Sequence, residues 1–235
     1  MKKCLIYIYL LLLTSLCCLQ AGAVSSEIRS LSVSDGLPDL VINTIYKDSK
    51  GYVWMGTNTS VERFDGIRLE HYMVEGSNEN LKRVFALVEM PGNELWVGTG
   101  MGLFRLADDA EKLERLAPEM ITSGVHAFCK LGDVLYVGTE KGLYVYKGGV
   151  FEHVLVDKNI FSRANFVTGM VEGENGILWL STMGGLKSLR LSDQSITSFS
   201  DKLAKNGQNL SFYNITRIGS KIFMGTMSSG LVLFS

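Results

Sequence analysis

Six side chains in this sequence have the types and positions expected of a site that binds a polar ring. They lie where loops lead into short apolar segments, and they are Arg83, Phe85, His126, Arg163, Asn165 and Tyr213. An aromatic plate stacks on a sugar ring, while amide, imidazole and guanidinium groups pair with its hydroxyls. Each residue taken alone is equally typical of a surface loop, so the prediction of a ligand site concerns the set.

The same inventory of reactive side chains predicts no catalytic residues, no metal site and no cofactor. His71 and His153 occupy matching positions of two separate repeats, 82 residues apart, whereas metal ligands must converge within a few ångströms. Residues 98–102 read Gly-Thr-Gly-Met-Gly, but they lack the lysine and the following helix of a phosphate-binding loop. A catalytic function is therefore not expected from these motifs.

The elements that must position these side chains come from a repeat. An aromatic residue followed two residues later by Gly-Thr, or by Ser-Thr in the fourth unit, recurs at intervals of 42, 40, 43 and 44 residues. The anchors are Trp54, Trp96, Tyr136, Trp179 and Phe223. A period of 40–45 residues made of short apolar runs and Gly-rich turns is typical of a β-propeller blade. Because the anchors recur with a strict period, we expect them to fill the interfaces between blades rather than to bind sugar.

The predicted fold is therefore all-β, a propeller of about five four-stranded blades covering residues 24–235. The fifth unit stops after its third strand, and residues 28–31 match the outer-strand position of the other units. Two alternatives follow: this N-terminal strand completes the last blade and closes a five-bladed ring, or the blades are part of a larger propeller. In either case the six candidate residues, with Asn58 and Glu140, lie in loops at one mouth of the central channel.

Residues 1–23 have the features of a secretory signal peptide. Lys2 and Lys3 precede the apolar residues 5–13, and Ala-Gly-Ala at residues 21–23 fits a cleavage site. Removal of two lysines from 23 basic and 24 acidic residues leaves a net charge of −3, which favours neither nucleic acid nor membrane surfaces as partners. No span of a membrane is predicted after cleavage, and Cys129 then has no partner for a disulfide.

Three segments of the first unit carry a family resemblance. Residues 34–38 (Ser-Asp-Gly-Leu-Pro), 51–57 (Gly-Tyr-Val-Trp-Met-Gly-Thr) and 63–66 (Arg-Phe-Asp-Gly) closely resemble the two-component regulator propeller repeat. The resemblance extends over residues 28–235, with Ser60-Val61 in place of Gly-Leu and Ser181 in place of Gly. It implies the periplasmic sensor region of a Bacteroidetes hybrid two-component system, here truncated, without the membrane helix and kinase of such systems.

The resemblance implies a function in sensing. Such propellers report oligosaccharides from polysaccharide breakdown, so an oligosaccharide ligand is expected in the periplasm, with a homodimer or another propeller-containing sensor chain as partner. Two other hypotheses stay open. A propeller lyase or glycosidase would need two acids, or a histidine and a tyrosine, at the channel mouth. A protein-interaction scaffold would capture a partner through its blade edges without binding sugar.

Overall fold

The computed structural model describes residues 28, 30–74, 81–200 and 210–234, and the predicted signal peptide at residues 1–23 lies outside them. Ser32–Ser235 forms one compact unit. In the described ranges, no helix has the length and apolar character needed to cross a membrane. The regular elements found there are β-strands and two short 3₁₀ turns, Val33–Asp35 and Arg163–Asn165.

The described strands form five antiparallel sheets, and in every sheet each strand pairs with the next one in the chain. The first sheet consists of β1 (Thr44–Lys47), β2 (Val53–Gly56), β3 (Val61–Phe64) and β4 (Leu69–Tyr72). The second consists of β5 (Val84–Met90), β6 (Glu94–Thr99), β7 (Gly102–Leu106) and β8 (Glu114–Arg115). The third consists of β9 (Val125–Leu131), β10 (Val134–Thr139), β11 (Gly142–Lys147) and β12 (Val150–Val154).

The fourth and fifth sheets continue the same order. The fourth consists of β13 (Val167–Glu172), β14 (Ile177–Thr182), β15 (Gly185–Arg190) and β16 (Ile196–Ser198). The fifth has three described strands, β17 (Phe212–Ile218), β18 (Lys221–Thr226) and β19 (Leu231–Phe234). The first strands of consecutive sheets pack against each other, β1 on β5, β5 on β9, β9 on β13 and β13 on β17. The all-β propeller predicted from the repeat is confirmed, and each sheet is one blade.

The threonine of the repeat signature fastens the hairpin between the second and third strands. In blade two, Thr99 Oγ1 donates to the Gly102 carbonyl at 3.0 Å and accepts from the Met101 N–H at 3.1 Å. Thr139 and Thr182 make the same pair of bonds in blades three and four. These hydroxyls are fully buried, so the two bonds satisfy groups that burial would otherwise leave without partners.

The glycine of the signature makes room for the next blade. A Cβ placed on Gly56, Gly98 or Gly138 would lie 2.5–2.8 Å from the Cγ1 of Val84, Val125 or Val167, the first residue of the following inner strand. Real Cβ atoms do not approach other carbons so closely. Glycine is therefore required here by the close approach of two blades, and Val packs into the space that it leaves.

The first three anchors fill the interfaces between blades, as predicted. Trp54 and Trp96 are 5% and 3% exposed, and each belongs to a hydrophobic cluster that joins its own blade to the next. Tyr136 has the same place between blades three and four. Trp179 and Phe223 are only half-buried. Burial of the anchors therefore falls toward the end of the row of blades.

The fifth blade has an exposed apolar face. Leu231 is 70% exposed and Leu233 is 50% exposed. At Gly225 the three atoms nearest to an added Cβ all belong to Asn214 of the same blade, so the described chain places no valine against this glycine. Residues 28, 30 and 31 adopt no strand conformation, and the predicted fourth strand of blade five is not present among the described residues.

Blade one buries a carboxylate where blades two and three have aromatic rings. Glu62 is fully buried, at the position that Phe104 and Tyr144 occupy in the next two blades. Its Oε1 accepts from Ser60 Oγ at 2.7 Å and contacts His71 Nδ1 at 2.8 Å. No group in the described part of the chain reaches Oε2. Burial is the largest effect on this carboxyl, and it raises the pKa of Glu62 above its usual 4.5.

We expect Glu62→Gln to remove a pH dependence of stability. Because the pKa of Glu62 is higher in the folded state, the protonated carboxyl stabilises the folded protein at low pH. This stabilisation is lost as the pH rises above about 4.5 through the folded-state pKa. The variant should match the wild type near pH 4.5 and exceed its free energy of unfolding near pH 7 by about 1–3 kcal/mol, the cost of a buried group without a partner. Urea denaturation at the two pH values measures this. Glu152→Gln, at an exposed carboxylate of β12, is the control, and an equal pH response of both variants would contradict the assignment.

Candidate functional site

Three of the six predicted site residues occupy the same structural position in different blades. Near the start of the inner strand the pairing with the second strand skips one residue, which is Phe85 in β5, His126 in β9 and Tyr213 in β17. Thr168 is skipped in β13. A β-bulge redirects the skipped side chain and is common next to functional sites. Thr168 is buried and bonds to Ser181 and Phe212. The bulges therefore place the side chains of blades two, three and five at the end of the sheets where the β2–β3, β6–β7 and β10–β11 hairpins also lie, and we call this end the mouth.

Consecutive blades contribute a row of rings at the mouth. The ring centroids of Phe85 and His126 are 4.1 Å apart, and those of His126 and Phe166 are 4.7 Å apart. All three side chains are half-buried, so part of each ring remains accessible. We call Phe85, His126 and Phe166 the ring row. The ring row is therefore a cluster of mutually tilted rings, at 35° and 52°, that extends over blades two to four.

Phe166 was not among the residues predicted from the sequence. It directly precedes β13, the position that Arg83 holds before β5. An aromatic residue immediately before an inner strand is the signal in the sequence that could have found it.

The imidazole of His126 has a carboxylate partner. His126 Nε2 lies 3.1 Å from Glu140 Oε1, and Glu140 follows β10 in the second set of mouth loops, as predicted. Burial lowers the pKa of His126 below 6.5, and the contact with Glu140 opposes this effect without cancelling it. The imidazole is therefore neutral near pH 7 and acts as a hydrogen-bonding ring rather than as a cation.

Arg83 lies next to the ring row, at its blade-two end. Its guanidinium carbon lies 5.3 Å from the centroid of the Phe85 ring, within the range of a cation–π contact. Its backbone N–H donates to the carbonyl of Asn58 at 2.8 Å, which places the predicted mouth residue Asn58 beside it. The side chain of Arg83 is exposed and so is available to a ligand.

The two predicted residues of the 3₁₀ turn at 163–165 have different roles. Asn165 is 1% exposed; its Oδ1 accepts from the Asp157 N–H at 2.9 Å, and its Nδ2 donates to the carbonyls of Asp157 and Asn159. This amide fixes the loop before β13 and has no face toward solvent. Arg163 is exposed, and its Nη2 donates to Ser211 Oγ at 3.2 Å, across to blade five.

Tyr213 lies beyond Arg163, on blade five, and is 54% exposed. Ser211 directly precedes β17, and its Oγ donates to the Met183 carbonyl at 2.9 Å. A cleft of about 460 Å³ adjoins Arg163 and is lined by Asp157, Ser162, Met183 and Lys187, among others. The mouth therefore has a concave part next to Arg163, in addition to the ring row.

Metal binding and thiol chemistry find little support in the described residues. They contain no group of three or more His, Cys, Asp or Glu side chains placed to hold a metal ion. His71 contacts Glu62, and His153 Nε2 donates to the Lys141 carbonyl of its own blade at 2.8 Å. Burial raises the pKa of Cys129 to about 11, so the thiol is protonated at neutral pH and is a weak nucleophile.

Residues 36–59 match the family model described as "Two component regulator propeller". No curated protein matches the chain. The extracellular domain of the putative hybrid two-component system BT3049 from B. thetaiotaomicron is similar over 88% of this chain and 30% of its own length, with 23% identity and a TM-score of 0.71.

Two further solved structures are similar. The extracellular domain of the putative hybrid two-component system BT4673 from B. thetaiotaomicron matches 84% of this chain and 28% of its own length, with 20% identity and a TM-score of 0.69. An ancestral GH74 enzyme matches over 79% and 27% of the two chains, with 15% identity and a TM-score of 0.62.

The chain spans less than a third of the length of each of these structures, and identities of this size establish the shared fold. The chain therefore contains a two-component regulator propeller repeat and has the propeller fold found in the extracellular domains of hybrid two-component systems.

Proposed function

We propose that this chain is a sensor-type propeller module that binds an oligosaccharide at the mouth, in the periplasm, for two-component signalling. The observation that carries the proposal is the ring row, in which Phe85, His126 and Phe166 come from three consecutive blades and have centroids 4.1 and 4.7 Å apart. Sugar rings stack on aromatic faces of this kind. The chain is proposed to act without catalysing a reaction, and to pass its signal to a second copy or to another propeller-containing sensor chain.

The position of the ring row supports binding rather than packing alone. The bulges at Phe85 and His126 remove these residues from the strand ladder, and both rings keep an accessible edge. The anchors, by contrast, are buried between blades. The one N–H of neutral His126 donates to Glu140, which leaves the other ring nitrogen and the carboxylate of Glu140 as acceptors for sugar hydroxyls beside the ring row.

The test is a binding measurement with purified chain. Isothermal titration against a panel of plant and host-derived oligosaccharides should find at least one ligand, and the double variant Phe85→Ala, Phe166→Ala should weaken its binding by roughly tenfold or more, since each stacking contact contributes about 0.5–1.5 kcal/mol beyond its buried area. Ile67→Ala is the matched control, because Ile67 is an exposed apolar residue in the β3–β4 turn, at the opposite end of the sheets. Unchanged affinity in the double variant would remove the ring row from the site.

The same samples distinguish a sensor from an enzyme. Chromatography of the oligosaccharide after prolonged incubation should show no cleavage. If products appear, the variants His126→Ala and Tyr213→Ala decide which of the two side chains takes part, and products that form at the wild-type rate in both would exclude them as catalytic residues. Capture of a protein partner without any sugar binding would instead support the scaffold hypothesis.

A further inference from the structure

Positive charge at the mouth is not balanced by the carboxylates around it. Four exposed cations lie in the mouth loops, Lys82, Arg83, Lys141 and Arg163. In the described part of the chain none of the four is in an ion pair, whereas Arg63, Arg105, Arg190 and Arg217 each are. The carboxylates nearby are Glu140, Asp39, which lies beside Asn58, and Asp157, which accepts from Ser162 Oγ at 2.9 Å next to Arg163. Among the described residues of the mouth, four cations thus face three carboxylates, in a chain whose formal net charge is −1.

The backbone that carries two of these cations is strained. Lys82 and Arg83 have φ values of 49° and 75°, in the left-handed region that side chains other than Gly, Asn and Asp rarely adopt. The Gly100 N–H donates to the Arg83 carbonyl at 3.0 Å, and a Cβ on Gly100 would lie 2.2 Å from the Lys82 carbonyl oxygen. The loop is therefore held in this conformation by both neighbouring loops. Strain that the surroundings maintain in this way is typical of functional positions.

The two arginines lie on either side of the ring row. Arg83 contacts the ring of Phe85, at the blade-two end. Arg163 is three residues before Phe166, and it donates to Ser211 on the blade-five side. Each guanidinium uses few of its five N–H groups on the protein. The remaining donors have the planar geometry that pairs with a carboxylate through two parallel hydrogen bonds.

We infer that the ligand of the mouth is an acidic oligosaccharide, one that carries uronate carboxylates, and that Arg83 and Arg163 bind these carboxylates while the sugar rings stack on the ring row. This inference rests on the proposed function. A neutral sugar would use the rings and the hydroxyl partners but would leave the excess positive charge unpaired. A chain of uronates places one carboxylate on every ring, so stacking of neighbouring rings brings carboxylates toward both ends of the row.

The test compares one oligosaccharide with and without its charge. Tetragalacturonate and its methyl ester have the same sugar rings, and the ester removes the negative charge. Titration calorimetry with the full chain should show tetragalacturonate bound at least tenfold more tightly than the ester, with an affinity that falls as the salt concentration rises. Arg83→Asn and Arg163→Gln should each lower the affinity for the acid by about tenfold or more and leave that for the ester unchanged.

The variants are chosen to keep the fold. Asn adopts the left-handed backbone conformation of residue 83 more readily than other non-glycine residues, so Arg83→Asn removes the cation and retains the loop. Arg190→Gln is the matched control, since Arg190 ends β15 at the opposite end of the sheets and is exposed. Unchanged circular dichroism and melting temperature in each variant establish that a loss of binding reflects the missing guanidinium.

The outcomes separate this inference from the proposed function. If the ester binds as tightly as the acid, the acidic ligand is wrong and oligosaccharide binding stands. If a sulfated oligosaccharide binds and tetragalacturonate does not, the excess charge serves sulfate and the uronate assignment is overturned. If neither these probes nor the neutral panel binds, the proposed function itself is wrong.

Discussion

Trp96→Ala is expected to lower the free energy of unfolding by about 3–5 kcal/mol, the range for removal of a large aromatic side chain from a core. Trp96 is 3% exposed and packs across the interface of blades two and three, with its ring centroid 4.8 Å from that of Tyr146. The surrounding strands are fixed by their hydrogen-bonded ladders and cannot close the cavity. Chemical denaturation followed by circular dichroism gives the value.

Phe223→Ala is the matched control for this prediction. Phe223 holds the same position of the repeat in blade five, where it is half-buried and belongs to none of the four described hydrophobic clusters. We expect Phe223→Ala to lower the free energy of unfolding by less than about half of the Trp96→Ala value. The reason is that the transfer and cavity contributions both scale with the contacts removed. Equal losses in the two variants would mean that a further element covers blade five in solution, as in a closed ring.

Gly98→Ala is expected to destabilise the chain by about 1–3 kcal/mol, the usual cost of overpacking. The added methyl group would lie 2.8 Å from Val125 Cγ1 and 2.9 Å from the Val125 carbonyl oxygen. A backbone oxygen of a paired strand cannot move aside, so blades two and three must separate. Denaturation curves of this variant and of the wild type, measured together, check the prediction.

Gly225→Ala makes the same change at the end of the row. The nearest atom to the added methyl group is Oδ1 of Asn214, at 2.6 Å. Asn214 is exposed, so its side chain can turn away at the cost of the one hydrogen bond that it accepts from the Gly225 N–H, and water can replace that bond. Alanine also reduces the conformational entropy of the unfolded chain, which stabilises by about 0.4–1 kcal/mol. The net effect should therefore be close to zero. A loss as large as that of Gly98→Ala would instead place a neighbouring element against Gly225, as in a closed ring.

The stability of blade five affects Tyr213 but not the ring row. The ring row extends over blades two to four, whose interfaces each contain a complete hydrophobic cluster. Destabilisation at the exposed face of blade five should therefore leave the row intact, while Tyr213, on β17, depends on the order of the last blade. Binding data for Tyr213 variants are best interpreted after the stability of blade five is known.

Much of the fold could be predicted from the sequence because each repeat contacts only itself and its neighbours in the chain. Trp96, Gly98 and Thr99 each act through neighbours at a fixed place in the same or the next repeat, so the spacing of 40–44 residues already implies which groups meet. The hairpin threonines and the buried anchors follow directly. Departures from the repeat occur in matched positions. In blade four Ser181 replaces the glycine of the signature, and its Oγ lies 3.1 Å from Thr168 Oγ1. The next inner strand, β17, begins with Phe212, where β5, β9 and β13 begin with valine.

The site was predicted less completely. The sequence located the mouth loops and six residues, but only the structure shows that Phe85 and His126 are bulge residues whose rings are in contact. It also shows that Phe166 continues the row and that the amide of Asn165 is used within its own loop. A one-residue bulge changes which side of the strand a residue faces, and sequence alternation cannot place it. The buried partner of a polar side chain is likewise set by loop conformation.

The sequence by itself thus determined the class of fold, the number of blades and the end of the sheets at which a ligand site would lie, because periodic spacing fixes contacts between equivalent positions. The tertiary structure decided which side chains of the mouth meet and that blade five keeps an exposed apolar face among the described residues. It also decided that the four cations of the mouth have no ion-pair partner in the described part of the chain. These features depend on distances between residues of different blades and on loop conformations such as the left-handed Lys82 and Arg83, and no local pattern encodes such distances.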